Sequence, residues 1–115
     1  MHEFSVTKSL VDLCEKEATS NGIKKILKIK VKLGKFTGFS TESIRFYFEY
    51  LKPNTKCAEA QLIFNEIPIL VKCSNCGYKA ETSEPVFLCP DCVKPTLEII
   101  SGREFFVESI EGDQS

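Results

Sequence analysis

Two short stretches, Cys73-Ser74-Asn75-Cys76 and Cys89-Pro90-Asp91-Cys92, stand twelve residues apart in the second half of the chain. In each, a two-residue spacer lets one tight turn aim both thiols at a common point, so the two turns together set four sulfurs around one ion. Zn²⁺ accepts four thiolates tetrahedrally and has no redox chemistry of its own. A dithiol redox motif needs only one such pair, usually at a helix start. An iron–sulfur cluster is compatible with the spacing, but two matched knuckles point to structural zinc held by Cys73, Cys76, Cys89 and Cys92. Gly77 after the first pair suits the backbone of such a turn; Val93 after the second does not help in the same way. Four cysteines leave the ion no open coordination position, so this site makes no enzyme by itself.

Outward from the knuckles the chain reads as strand. Ala60, Leu62 and Phe64 open a strand that runs toward Val71, and strand character returns at 96–100 and 104–110. Further upstream, Phe4, Val6, Leu10, Leu13, Cys14 and Ala18 follow the three- and four-residue steps of a helix closed by Asn21-Gly22. Leu27, Ile29, Val31 and Leu33 alternate with Lys28, Lys30 and Lys32, which predicts a strand with one buried and one wet face. With Lys24, Lys25 and Lys35, six lysines fall within twelve residues, read here as a solvated sheet face or a guarded edge strand. Ser40 is placed to cap a second helix, with Phe39 and Ile44 as a hydrophobic staple. Ile44, Tyr47, Phe48 and Leu51 mark its buried stripe, and the aromatic run Phe46-Tyr47-Phe48-Tyr50 is expected in the core. The outline predicts an α/β fold: two helices on a small three-stranded mixed β-sheet, with an inserted zinc-ribbon-like module. The expected domains are 1–71 plus 96–115 and, between them, 72–95. The large apolar side chains of that insertion are Tyr78, Val86, Phe87 and Leu88, too few for a core, so metal must supply most of its stability.

With 115 residues and a formal charge of −1, the chain fits one domain with a small appendage. A 43% share of hydrophobic residues and 27% of charged ones describe a folded globular protein. The charge balance argues against a nucleic-acid partner. Apolar runs are too short for membrane insertion, and the N-terminus lacks the features of a signal peptide, so the expected location is cytoplasmic. Reducing compartments disfavour disulfides; Cys14 and Cys57 then read as spare thiols, Cys14 on the apolar stripe of the first helix.

Catalytic constellations are missing. The single histidine is His2, and neither a serine–histidine–aspartate set nor a glycine-rich phosphate loop can be assembled. The chain is therefore not expected to be an enzyme. His2 has other chemistry: the Met1 amine, the deprotonated amides of His2 and Glu3, and the His2 imidazole form a four-nitrogen set. Such planar nitrogen ligation suits Ni²⁺ or Cu²⁺.

Met1-His2-Glu3 with Ser5, the segments 33–39 (Leu-Gly-Lys-Phe-Thr-Gly-Phe) and 42–49 (Glu-Ser-Ile-Arg-Phe-Tyr-Phe-Glu), and the two knuckles with Pro90 occur in this order along the whole chain. In these landmarks the chain resembles the HypA/HybF family of nickel-incorporation proteins for nickel–iron hydrogenase maturation. The resemblance implies a nickel metallochaperone with two metal sites. Met1, His2 and Glu3 would carry labile Ni²⁺, and the four cysteines would hold structural Zn²⁺. It also implies a nickel-handling GTPase as partner, the hydrogenase large-subunit precursor as recipient and, for some members, urease maturation proteins. The Glu3 side chain, spared from ligation, would be left to position the GTPase. One departure stands out: family members often have glycine or another small residue after the second pair, where this chain has Val93-Lys94-Pro95. No histidine flanks the knuckles, so zinc ligation is not expected to switch between sulfur and imidazole. Two other readings compete. One is a zinc-ribbon adaptor that handles no nickel; the other is a small enzyme with Cys14 or Cys57 as nucleophile, for which only His2 could serve as base.

Overall fold

The first helix, α1 (Glu3–Ser20), buries Glu3, Thr7, Leu10, Val11, Cys14 and Ala18. That stripe is rotated from the expected one: Phe4 and Leu13 lie partly in solvent, and two polar side chains take their place inside. Both are satisfied there. The Thr7 hydroxyl donates to the Glu3 carbonyl (2.6 Å), and the Glu3 carboxylate accepts from the Ser40 amide (3.0 Å). Buried polar groups with partners carry little penalty. The helix ends as expected at Asn21-Gly22, where Gly22 takes φ 71° and the Ile23 amide reaches back to the Ala18 carbonyl at 2.8 Å. The computed structural model describes residues 3–84 and 86–114, so the expected nickel ligands Met1 and His2 fall outside it.

The chain forms two compact units. One comprises Met1–Lys32, Phe39–Asn65 and Phe106–Ser115; the other comprises Leu33–Gly38 and Glu66–Phe105. The second unit is wider than the insertion outlined at 72–95, because flanking strands fold together with the knuckles.

In the first unit, α1 packs against α2 (Thr41–Leu51), with the Phe4 and Tyr47 rings edge to face at 5.4 Å. Ser40 caps α2 through its hydroxyl, which accepts from the Ser43 amide at 3.2 Å. Ile44 and Phe48 are fully buried, with Tyr47 and Leu51 partly so. Phe46 and Tyr50 depart from expectation: they are 70% and 73% exposed. Four residues apart, they share the helix face opposite Ile44 and Phe48, so an unbroken aromatic run cannot all be core.

A three-stranded sheet in the order β2-β1-β6 joins β1 (Lys25–Gly34), β2 (Gln61–Ile67) and β6 (Phe105–Asp113). β1 lies in the middle, so its lysines guard no edge. They line a solvated face, where Lys32 lies 3.9 Å from the Glu108 carboxylate of β6. Ile29, Val31 and Leu33 point inward as expected, but the alternation slips by one near the start of β1, burying Ile26 and exposing Leu27.

The expected single strand from 60 toward 71 is two strands. Pro68 separates β2 from β3 (Ile69–Cys73) because it has no amide to give a ladder. β3 is the centre of a second, antiparallel sheet in the order β4-β3-β5, with β4 (Lys79–Thr82) and β5 (Leu97–Ser101) on its flanks. This sheet lies in the second unit and was not foreseen in the sequence. Its core is Ile69, Val71, Cys73, Cys89 and Leu97, with Phe36, Tyr78, Ala80, Cys92 and Ile99 packed around it. Val86, Phe87 and Leu88, counted among the few large apolar side chains of the insertion, lie largely in solvent. Between β1 and α2 a 3-10 turn (Lys35–Thr37) begins at Gly34, where a Cβ would lie 2.0 Å from the Gly102 carbonyl oxygen. Only glycine permits that approach.

Candidate metal centre

The first knuckle is the loop of the β3–β4 hairpin. β3 and β4 pair up to Lys72↔Lys79, and the next backbone bond, from the Cys73 amide to the Tyr78 carbonyl (2.7 Å), closes the loop. Within it the Gly77 amide donates to the Cys73 carbonyl at 3.0 Å. The second knuckle repeats the pattern: the Cys89 amide donates to the Lys94 carbonyl (2.9 Å) and the Val93 amide to the Cys89 carbonyl (2.8 Å). Gly77 and Val93 therefore occupy equivalent positions, and both are left-handed, at φ 81° and 52°. The valine thus takes the glycine's place in the turn, but only at the cost of a strained backbone, in keeping with the expectation that it does not help in the same way.

The two turns meet at their sulfurs. The four Sγ atoms of Cys73, Cys76, Cys89 and Cys92 all lie within 4.8 Å of one another, with Cys73–Cys92 at 3.6 Å and Cys76–Cys89 at 3.7 Å. Zn–S bonds of about 2.3 Å in a tetrahedron place sulfurs about 3.8 Å apart, so this donor set fits zinc.

The four sulfurs are unlike. Cys73 and Cys89 are buried, Cys92 is half-buried and Cys76 is exposed. Cys73 Sγ accepts from the amides of Asn75 and Cys76, both at 3.3 Å, and stands 3.0 Å from the Thr96 hydroxyl. The Thr96 hydroxyl, whose effect exceeds the opposing effect of burial, holds the Cys73 thiol down to about 6, with help from the Cys76 and Asn75 amides. At Cys76 the Tyr78 amide has a lowering effect, but Cys73, burial and Cys89 outweigh it and push the thiol up to about 12. Burial raises the Cys92 thiol, yet hydrogen bonds from Thr96 and Asn75 bring it below its ordinary value. Thr96 escaped the sequence reading. A hydroxyl four residues past the last cysteine carries no signal until the register Cys73↔Leu97 brings it beside the first knuckle.

The two remaining cysteines sit together in the first unit. Cys14 and Cys57 are both 0% exposed. The Cys57 thiol beside it, and then burial, push the Cys14 thiol up. A protonated, solvent-free thiol is no nucleophile, so Cys14 is the small apolar side chain expected of it; the Cys57 thiol is held below its ordinary value by Cys14 and Thr55, against burial, but is just as closed to solvent. Glu3, the expected nickel-site residue that is described, starts α1 with its side chain only 8% exposed. Its carboxylate accepts from the Ser40 amide.

Among the described residues, no helix is long and apolar enough to cross a membrane. The family model for hydrogenase/urease nickel incorporation metallochaperones, HypA, matches residues 1–112. The hydrogenase maturation factor HypA of Caldanaerobacter subterraneus subsp. tengcongensis is 42% identical over 112 residues, covering 96% of this chain and 98% of that one. The factor of the same name from Shewanella halifaxensis is 31% identical over 115 residues and the full length of both chains. The solution structure of the nickel metallochaperone HypA from Helicobacter pylori superposes with a TM-score of 0.70 at 26% identity, covering 97% of each chain. With the four-cysteine centre on two matched knuckles and this full-length similarity, the chain belongs to the HypA family of hydrogenase/urease nickel-incorporation metallochaperones.

Proposed function

We propose that this protein carries Ni²⁺ at its N-terminus and delivers it to the hydrogenase large-subunit precursor, working in the cytoplasm with a nickel-handling GTPase. The Met1 amine, the amides of His2 and Glu3 and the His2 imidazole are the ligands. The four cysteines hold Zn²⁺ as a structural ion, and urease maturation proteins are a second class of recipient. The protein acts as a carrier, not a catalyst.

The observation that carries this reading is the sequence Met1-His2-Glu3, whose third residue begins α1, in a chain of the HypA family. Planar nitrogen ligation through amides requires those amides to lose protons. The positive end of a helix dipole favours the resulting negative charge. Glu3 is held by Ser40 and Thr7, so the third residue of the site is fixed on a firm support while its carboxylate stays out of the metal's way. A nitrogen site at a chain end can give its ion up, whereas the zinc centre, closed by four sulfurs, keeps its own. The two sites therefore divide the labour, one exchanging metal and the other holding a fold.

The test is transfer. Zinc-loaded protein charged with one equivalent of Ni²⁺ is mixed with the GTPase partner and the metal-free large-subunit precursor, and nickel in the precursor is counted. Native protein is expected to hand its nickel over and His2→Ala to deliver none. Equal delivery by both would place the nickel on other residues of the chain; no delivery by the native protein would favour the adaptor reading, in which the zinc unit bridges proteins and no nickel passes through this chain.

A further inference from the structure

The donors around the zinc centre are distributed unequally, and one of them comes from a side chain. Cys73 Sγ accepts two backbone amides of its own knuckle at 3.3 Å. The third donor, the Thr96 hydroxyl at 3.0 Å, belongs to the exit of the other knuckle, immediately before β5. Backbone amides around a sulfur come with the knuckle turn and do not depend on which residues build it. Thr96 is different: a specific hydroxyl, placed by the pairing of β3 with β5.

A hydroxyl has one proton to give, and two other acceptors are near. The Lys94 carbonyl lies at 3.4 Å and the Cys92 sulfur at 3.7 Å. Both are more distant than Cys73 at 3.0 Å, so the hydroxyl bonds most strongly to Cys73. The backbone supports the same geometry, since the Ser74 amide donates to the Thr96 carbonyl at 3.0 Å. Thr96 is thus fastened to the first knuckle on both its main chain and its side chain.

We propose that Thr96 is a positioning residue of the zinc centre, whose hydroxyl donates to the metal-bound Cys73 thiolate, fixes its orientation and raises zinc affinity. The inference rests on the four cysteines holding zinc. A hydrogen bond to an anionic sulfur is charge-assisted, and groups that orient metal ligands from outside the coordination sphere typically govern affinity by 10- to 100-fold. Drawing electron density from the sulfur also lowers the energy of its lone pair, which an optical spectrum of a cobalt-substituted site reads directly.

The experiment uses the full chain with Thr96→Val, which keeps the shape and removes the donor, and Thr96→Ser, which keeps the donor. Zinc affinity is measured by competition with a chromogenic chelator. The thiolate-to-metal charge-transfer band is recorded after substitution with Co²⁺. Thr96→Val is expected to bind zinc about tenfold more weakly and to shift the band to lower energy, while Thr96→Ser stays close to the native protein on both. Unchanged affinity and spectrum in Thr96→Val, or equal losses in Val and Ser variants, would overturn the proposal while leaving the zinc centre standing. Native protein that takes up no zinc would overturn the zinc reading and this inference with it.

Discussion

The carboxylate of Glu3, at the start of one helix, accepts a hydrogen bond from the backbone amide of Ser40, the residue that caps the other. One contact therefore closes the amino ends of both helices, and it does so from a position expected to serve only metal or partner. Removing a capping acceptor typically costs about 1–2 kcal/mol. Glu3→Ala should lose roughly that much stability in urea unfolding of the zinc-loaded protein followed by helix signal, and Glu3→Gln, whose amide oxygen still accepts, should lose less. An alanine variant as stable as the native chain would show that the Ser40 bond contributes nothing.

Val93 sits where Gly77 sits in the other knuckle, with a β-branched side chain at φ 52°. The left-handed region costs an L-residue about 1–2 kcal/mol, and part of that is regained by glycine despite its greater freedom when unfolded. Val93→Gly should stabilise the zinc-loaded second unit by about 1 kcal/mol, seen as a higher urea midpoint for zinc release. Gly77→Val should do the reverse. Opposite signs would mean that the valine makes compensating contacts.

Metal removal should act on one unit and spare the other. Among the described residues, the core cluster around the knuckles holds five buried side chains, two of them the cysteines Cys73 and Cys89, so coordination is expected to supply most of the stability there. Cys73→Ala or Cys89→Ala should abolish the single equivalent of zinc and melt the knuckles. The helix signal from α1 and α2, both in the first unit, should persist. Retention of zinc by either variant in native mass spectrometry would remove that cysteine from the ligand set.

Both helices, the clustering of the four cysteines and the glycine-bracketed turn between β1 and α2 were legible in the sequence because each rests on local rules: periodicity, capping and the spacing of the cysteine pairs. What escaped notice depended on partners distant in the chain. The buried Glu3 carboxylate is satisfied by the Ser40 amide, 37 residues along the chain. The two-strand nature of 60–73 did leave a trace, since the apolar positions change parity across Pro68, from Leu62 and Phe64 to Ile69 and Val71. β4 left almost none: Lys-Ala-Glu-Thr has no apolar alternation, and it is a strand only because the first knuckle folds it back on β3. Thr96 became visible only when β5 was paired with β3.

Nickel binding is assigned to the free N-terminus and His2. Calorimetry with Ni²⁺ on three zinc-loaded proteins tests it: the native chain, His2→Ala, and a chain with extra residues ahead of Met1. The native chain should bind one ion tightly, with affinity falling as pH drops through the imidazole range near ~6.5, because a protonated ring cannot ligate. The other two should lose high-affinity nickel while keeping their zinc and their helix content. If all three bind nickel alike, the metal sits elsewhere on the chain and the N-terminal site is contradicted.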